Sequence, residues 1–379
     1  MDDRFRLFSV DDHIIEPANL WTSRLPTAYH DRCPHVVENG GHEMWEYEGG
    51  QGATIGLNAV IGKPPQEWGA DPISFADMRA GCFDPVQRAA DMADDGIIGS
   101  VPFPSVPGFG GRVFNEFKDK ELADLCVRAY NDFVLDEWCP AAPDLYVPTV
   151  ICQLWEPRLA AAEIRRSAER GARALSFPEN TYPLGLPALQ NPHWDPVWEA
   201  LEETGTVVSM HGGSSGSIPM ASPEAHFSTA IIGAPGQVGI QTITDLLFSP
   251  LIRRFDLQFV VTETGAGYVP YLLERADFVW ERHKYWAGFD DLRPSDLFRD
   301  HIYVCLVNET FAVKVRHDIG IRNILWECDY PHAETTWPNS QACAEKAFAG
   351  VPRDEVDLMT HGNAQRIFRF PDGGGTARD

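Results

Sequence analysis

Four apolar, β-branched segments of this 379-residue chain end on an imidazole or a carboxylate, and that recurrence limits the folds open to it. In the first, FSVDDHIIEP, an apolar run from Leu7 to Val10 delivers Asp11, His13 and Glu16. VVSMHGG brings His211, FVVTETGAG brings Glu263, and ILWECDYPH brings Asp329 and His332. Metal-type ligands collected at several strand ends point to one shared site at the mouth of a parallel barrel. Strand-like runs at 7–10, 97–103, 146–151, 173–177, 206–210, 257–262, 301–307 and 323–328 supply the eight strands that closure needs. Between them, 85–96, 120–138, 158–171 and 196–205 carry apolar residues at helical spacing, and Pro250 predicts a kink or a helix pair within 241–255. The expected fold is α/β: a (β/α)8 barrel of the TIM type, one domain over residues 1–369, with a flexible tail at 370–379.

One interval is too long for a simple βα unit. Residues 18–83 hold Trp21, Pro26, Pro34, Trp45 and glycine-rich stretches without a long amphipathic helix. They are read as an irregular or β-rich insertion after strand one, lying over the barrel mouth.

Composition narrows the partners. A net charge of −24 argues against nucleic acid and anionic membrane. No apolar run reaches the length of a membrane span, and the amino terminus lacks the apolar stretch of a secretion signal. Eight scattered cysteines without a Cys-x-x-Cys pair read as buried thiols in a reducing compartment, so a cytoplasmic location is expected.

Within a strand Asp11 and His13 share a face and Asp12 takes the other, so the first two can reach one ion in the lumen. Glu16 lies past the strand, as a further ligand or a base. His211 precedes a glycine-rich stretch where a cavity or substrate approaches closely. Glu263 is too costly to bury without a cation or a donor network, and Asp329 suits a group that binds a metal and takes a proton from its water. Weaker candidates are Arg79, whose fork fits a substrate carboxylate, and His226 and Trp337, on loops after two ligand-bearing strands.

From DDHIIEP through DPVQRAADMADDGI, the mid-chain His-Gly, the Glu-x-Gly-x-Gly segment and DYPH to HGNAQRIF, the chain resembles the amidohydrolase superfamily. It is most similar to the amidohydrolase 2 branch that includes aminocarboxymuconate semialdehyde decarboxylase. The resemblance implies His13, His211 and Asp329 as metal ligands, with Asp11 beside them. Three departures stand out: Ile15 replaces a usual second histidine, Glu263 stands where many relatives have histidine, and strand four offers no lysine for a carbamate bridge. The carboxylate-rich set, with Glu16 and His332 also eligible, suits zinc, manganese or iron and leaves room for a second ion.

The leading expectation is a metal-dependent hydrolase that cleaves an acyl C–N, C–O or C–C bond. Asp329 would be its general base and acid, and His211 or His332 would steady the oxyanion. Non-oxidative decarboxylation of an aromatic or unsaturated acid is the alternative, and a non-haem diiron monooxygenase a third. A non-catalytic barrel is disfavoured, because every expected strand end keeps an eligible residue. The expected partner is a small-molecule substrate, and relatives of this kind suggest a homodimer.

Overall fold

The computed structural model describes residues 4–48, 50–56, 58–68, 72–306 and 308–371. Eleven strands follow in chain order: β1 (Leu7–Ile14), β2 (His35–Asn39), β3 (His42–Tyr47), β4 (Gly50–Thr54), β5 (Ile97–Pro104), β6 (Thr149–Val150), β7 (Ala174–Ser176), β8 (Val207–His211), β9 (Phe259–Thr262), β10 (Ile302–Leu306) and β11 (Ile324–Trp326). Eight form a parallel sheet in the order β5-β1-β11-β10-β9-β8-β7-β6. A parallel bridge between Ser100 and Tyr146 joins its two edges, with backbone bonds Ser100 N to Leu145 O and Val147 N to Ser100 O, both 2.8 Å. The result is the (β/α)8 barrel expected from the eight runs, each of which overlaps one of these strands.

Boundaries differ from the expected ones in an instructive way. β1 continues four residues past Val10, through Asp11, Asp12 and His13 to Ile14, all buried. Apolar patterning ends where the lumen turns polar, whereas the hydrogen-bonded ladder to β5 does not. β6 keeps only two of its six expected residues; Pro148 offers no N–H just before it. Residue 307, at the end of one expected run, lies outside the described residues.

Local chemistry sets the helix starts. Asp84 caps α1 (Pro85–Asp94) by accepting from Val86 N and Gln87 N, with Pro85 in the first turn. Asp119 does the same for α3 (Lys120–Phe133), which follows the short α2 (Arg112–Glu116). Around Pro250 the chain forms a helix pair, Phe227–Phe248 and Leu251–Arg254. No helix among the described residues is long and apolar enough to cross a membrane.

Alternate strand residues fill the barrel: Phe8, Val10, Phe103, Val207, Val260 and Leu325 belong to one buried cluster. Ile367, Phe368 and Phe370 complete it. Phe370, which the sequence placed at the start of a flexible tail, is instead buried, with its ring edge-on to Phe8 at 5.3 Å. The rest of that tail, 372–379, lies outside the described residues. The eight cysteines form no disulfide, and seven are buried.

Between β1 and α1, β2, β3 and β4 make a separate antiparallel sheet. Trp21 is its anchor: fully buried, it packs against Trp45 (5.6 Å) and donates Nε1–H to Cys126 O (3.1 Å) on α3. Further along, Ile61 N donates to Pro331 O (3.2 Å), so the insertion reaches the loop after β11.

Candidate metal centre

β1 delivers the first two groups. Asp11 and His13 share a face, while Asp12 turns away and accepts from Ser100 Oγ (2.6 Å) and Tyr330 N (3.1 Å). His211 is the last residue of β8, Glu263 follows β9, and Asp329 lies just past β11. The five side chains converge. His13 Nε2 is 3.4 Å from Asp11 Oδ1, 3.3 Å from Asp329 Oδ1 and 3.2 Å from His211 Nε2. His211 Nε2 is also 3.4 Å from Asp11 Oδ2 and 3.0 Å from Glu263 Oε2. His332 joins from the β11 side, its Nδ1 2.8 Å from Asp329 Oδ1 and its ring 3.9 Å from that of His13.

Two of the carboxylates are held by uncommon backbone. Glu263 (φ 51°) and Asp329 (φ 59°) both occupy the left-handed region, which non-glycine residues seldom adopt and which clusters at functional sites.

Burial sets the protonation states. It lowers the pKa of His211 to about 4 and that of His13 well below the ordinary imidazole value, so both rings are neutral and keep a lone pair for a metal. His211 Nδ1 faces Gly212 O at 2.7 Å, which fixes the tautomer that leaves Nε2 free. Burial, together with the charges of Glu327 and Asp329, pushes the Asp11 carboxyl well up; burial, Asp329 and Glu327 do the same to Glu263. Asp329 goes the other way: burial raises it, but the His332 and His13 imidazoles outweigh burial and hold it below the usual carboxylate range.

These residues fit a divalent cation. Both oxygens of Asp11 are buried without a hydrogen-bond donor, and the buried carboxylate of Asp329 meets only the imidazoles of His13 and His332. A carboxylate so placed is strongly destabilised unless a cation answers it. Asp11, His13 and His211 form one group whose ligand atoms lie within 4.8 Å of one another, and His13, Asp329 and His332 form a second.

The sequence matches the amidohydrolase family model (Amidohydro_2) over residues 19–370. The chain belongs to the amidohydrolase family. No curated protein matches it. Among solved structures it is similar to the amidohydrolase map2389c from Mycobacterium avium subsp. paratuberculosis K-10, with a TM-score of 0.78, 19% identity and coverage of 96% of this chain and 99% of that one. The 5-carboxyvanillate decarboxylase LigW from Sphingomonas paucimobilis follows at 0.66 and 20% identity, covering 97% and 99%. A dihydroxybenzoic acid decarboxylase from Polaromonas sp. JS666, with bound manganese and the inhibitor 2-nitroresorcinol, gives 0.62 and 17%, covering 96% of each chain. At these identities the likeness is one of fold.

In this amidohydrolase several residues lie elsewhere than the sequence suggested. Glu16 does not face the cluster: its two oxygens accept from Ser105 N and Val106 N, both at 2.9 Å, and so hold the loop after β5. Arg79 spends its fork on Asp91 (2.6 and 2.7 Å) and lies 4.7 Å over the Trp337 ring. Trp337 in turn donates to Asp91 O (2.9 Å), so both belong to a packing network beside the barrel rather than to a substrate grip. His226 is exposed and caps the helix Phe227–Phe248, its Nδ1 accepting from Ser228 N. Ile15 sits in the apolar cluster of Ile14, Leu20, Trp21 and Cys82 instead of the barrel-interior one, so this position does not face the lumen.

Two neighbours of the cluster escaped the sequence reading. Glu327, inside the expected strand 323–328, accepts from Glu263 N (3.2 Å) and contacts Cys305 Sγ, and burial raises its pKa to about 8. Its signal was a charge two residues before Asp329, the same spacing as Asp11 and His13. Phe109 lies 4.1 Å from the His211 ring and 4.7 Å from that of His13. It comes from an irregular loop and has no pattern to announce it.

Proposed function

We propose that the chain is a carboxy-lyase that uses one divalent metal ion and removes carbon dioxide, without oxidation, from a small aromatic or unsaturated carboxylic acid. The observation that carries the metal dependence is the donorless, fully buried Asp11 facing two neutral imidazoles, with Asp329 beside them. Asp11, His13, His211 and Asp329 would hold the ion, with Glu263 at the rim. His13 Nε2 is common to the contacts with Asp11 and Asp329, and one ring nitrogen serves one ion, which favours a single centre over a diiron pair. When bound, the ion supplies a positive charge that draws an anionic oxygen substrate into the mouth and stabilises charge built up there.

The reaction class rests on the similarity to decarboxylases along nearly the full length of both chains. The chain's own residues supply the proton such a reaction needs. As the carboxylate carbon departs, its bonding electrons stay on the substrate carbon, which must take up one proton. Asp329, held ionised, and His332, 2.8 Å away, form the pair that holds and hands over that proton. Phe109 excludes water from one flank of the imidazoles.

Metal-dependent hydrolysis remains the second reading, favoured by one observation: an ionised Asp329 is also the form that accepts a proton from water. The test is the Asp329→Asn variant beside the wild type, each loaded with manganese or zinc, with metal-to-chain ratio and carbon dioxide release measured on hydroxy-substituted benzoates. Asparagine tolerates the left-handed backbone at this position, so the fold should survive. We expect one ion per wild-type chain, carbon dioxide equal to product, and a loss of about 1,000-fold in kcat in the variant. Acid release from acyl substrates without carbon dioxide would make the protein a hydrolase. Two irons per chain with oxygen uptake would make it an oxygenase.

A further inference from the structure

The loop after β5 does not stay above its own strand. Ser176 Oγ, at the end of β7, donates to Phe109 O, and a side chain at Gly110 would run into the Pro178 backbone nitrogen at 2.7 Å. The loop therefore leans across the mouth towards β8, and between the two lies a pocket of about 320 Å³. Phe109 forms the wall shared with the metal centre, and Gly213 and Ser214, just past His211, form the far side.

The single cationic side chain among the residues lining this pocket is Arg112, the first residue of α2. Two glycines shape its place. A Cβ on Gly108 (φ +69°) would come within 2.7 Å of the Arg112 Cγ, and one on Gly216 (φ +73°) would lie 3.5 Å from Nη1. The stem thus packs on one loop and the guanidinium rests against the other. Among the described residues its one charged partner is Glu116, at 3.7 Å, and that carboxylate is largely exposed. Such a pair is weak, and among the described residues the guanidinium donates no hydrogen bond. Ser105, on the same wall, carries a buried hydroxyl that also has no hydrogen-bond partner. An uncommitted guanidinium and an unanswered hydroxyl in one pocket are the two halves of a carboxylate site.

We propose that this pocket binds a second carboxylate of the substrate on Arg112, with Ser105 as a further donor, while the reacting end of the molecule lies at the metal centre. The inference rests on the proposed function and narrows it: the substrate is a flat dianion whose body lies along Phe109. A cation here adds to the charge the ion would supply against the carboxylates Asp11, Glu263 and Asp329. Arg79, the arginine that the sequence suggested for this task, is committed to Asp91.

The experiment is equilibrium calorimetry on metal-loaded protein with two probes, isophthalate and benzoate, in wild type, Arg112→Gln and Arg112→Lys, with metal content measured on each sample. We expect the wild type to prefer isophthalate by about tenfold or more, the difference that one charge-assisted pair makes. Arg112→Gln should bind the two alike with benzoate affinity unchanged, and Arg112→Lys should keep part of the preference without the fork. Equal affinities in the wild type, no binding of isophthalate, or a preference that survives in Arg112→Gln would overturn the proposal. Because binding is read without turnover, a protein that binds one ion and prefers isophthalate but releases no carbon dioxide would refute the reaction class and leave this site standing.

Discussion

Asp11 is fully buried, has no donor on either oxygen, and sits within 3.4 Å of two neutral histidines. Stripped of metal, such a site should be read in the pH dependence of stability. The folded pKa of His211 is about 4 against the ordinary 6.5, so between these values the unfolded chain holds a proton that the native imidazole refuses. Its contribution is therefore intact above pH 6.5 and is lost as the pH falls towards 4, a swing of about 3 kcal/mol. Urea midpoints of the chelator-treated protein at pH 7 and pH 4.5 should differ more in the wild type than in His211→Asn. Equal differences would mean that His211 is protonated in the folded state. At this scale the sequence exposed residues that sit alone at a strand end, such as His211 and Glu263. It hid Glu327, a charge embedded in an apolar run, because periodicity cannot separate a buried acid from its neighbours until the fold shows what faces it.

Among the elements, the loop after β5 depends on the one after β1. Glu16 accepts the N–H groups of Ser105 and Val106, and those residues open the segment that carries Phe109 and Arg112. Glu16→Ala should leave both donors unanswered and cost about 3 kcal/mol in chemical denaturation. The metal-to-chain ratio should not change, since Glu16 does not reach the cluster. A folded variant that has lost its metal would return Glu16 to the ligand set. Strand and helix positions were legible because the barrel repeats one period eight times. The loops were not: the reach of Phe109 over His13, or the tie between Arg79 and Asp91, depends on contacts between segments far apart in sequence, and no local pattern encodes them.

For the molecule as a whole, the barrel is plugged at the end away from the site. Ile367, Phe368 and Phe370 pack on Phe8 and its interior neighbours, so the carboxyl-terminal segment closes the core that the strands begin. Phe370→Ala should lower stability by about 3 kcal/mol in urea or thermal melts, with metal content and ligand preference unchanged. A change within experimental error would mean that the segment merely lies on the barrel. The eight-strand architecture could be read from composition and period, while Phe370, the last residue of this plug, reads as the start of a tail because its glycine-rich continuation resembles a linker. The leaning loop has a further consequence for how this scaffold can diversify. The groups suited to hold the ion come from β1, β8, β9 and β11, whereas the pocket wall that carries Phe109 comes from the seven residues between β5 and α2, with Arg112 next after them. New substrate preferences can therefore arise by exchanging that short stretch alone, with the reactive centre inherited intact.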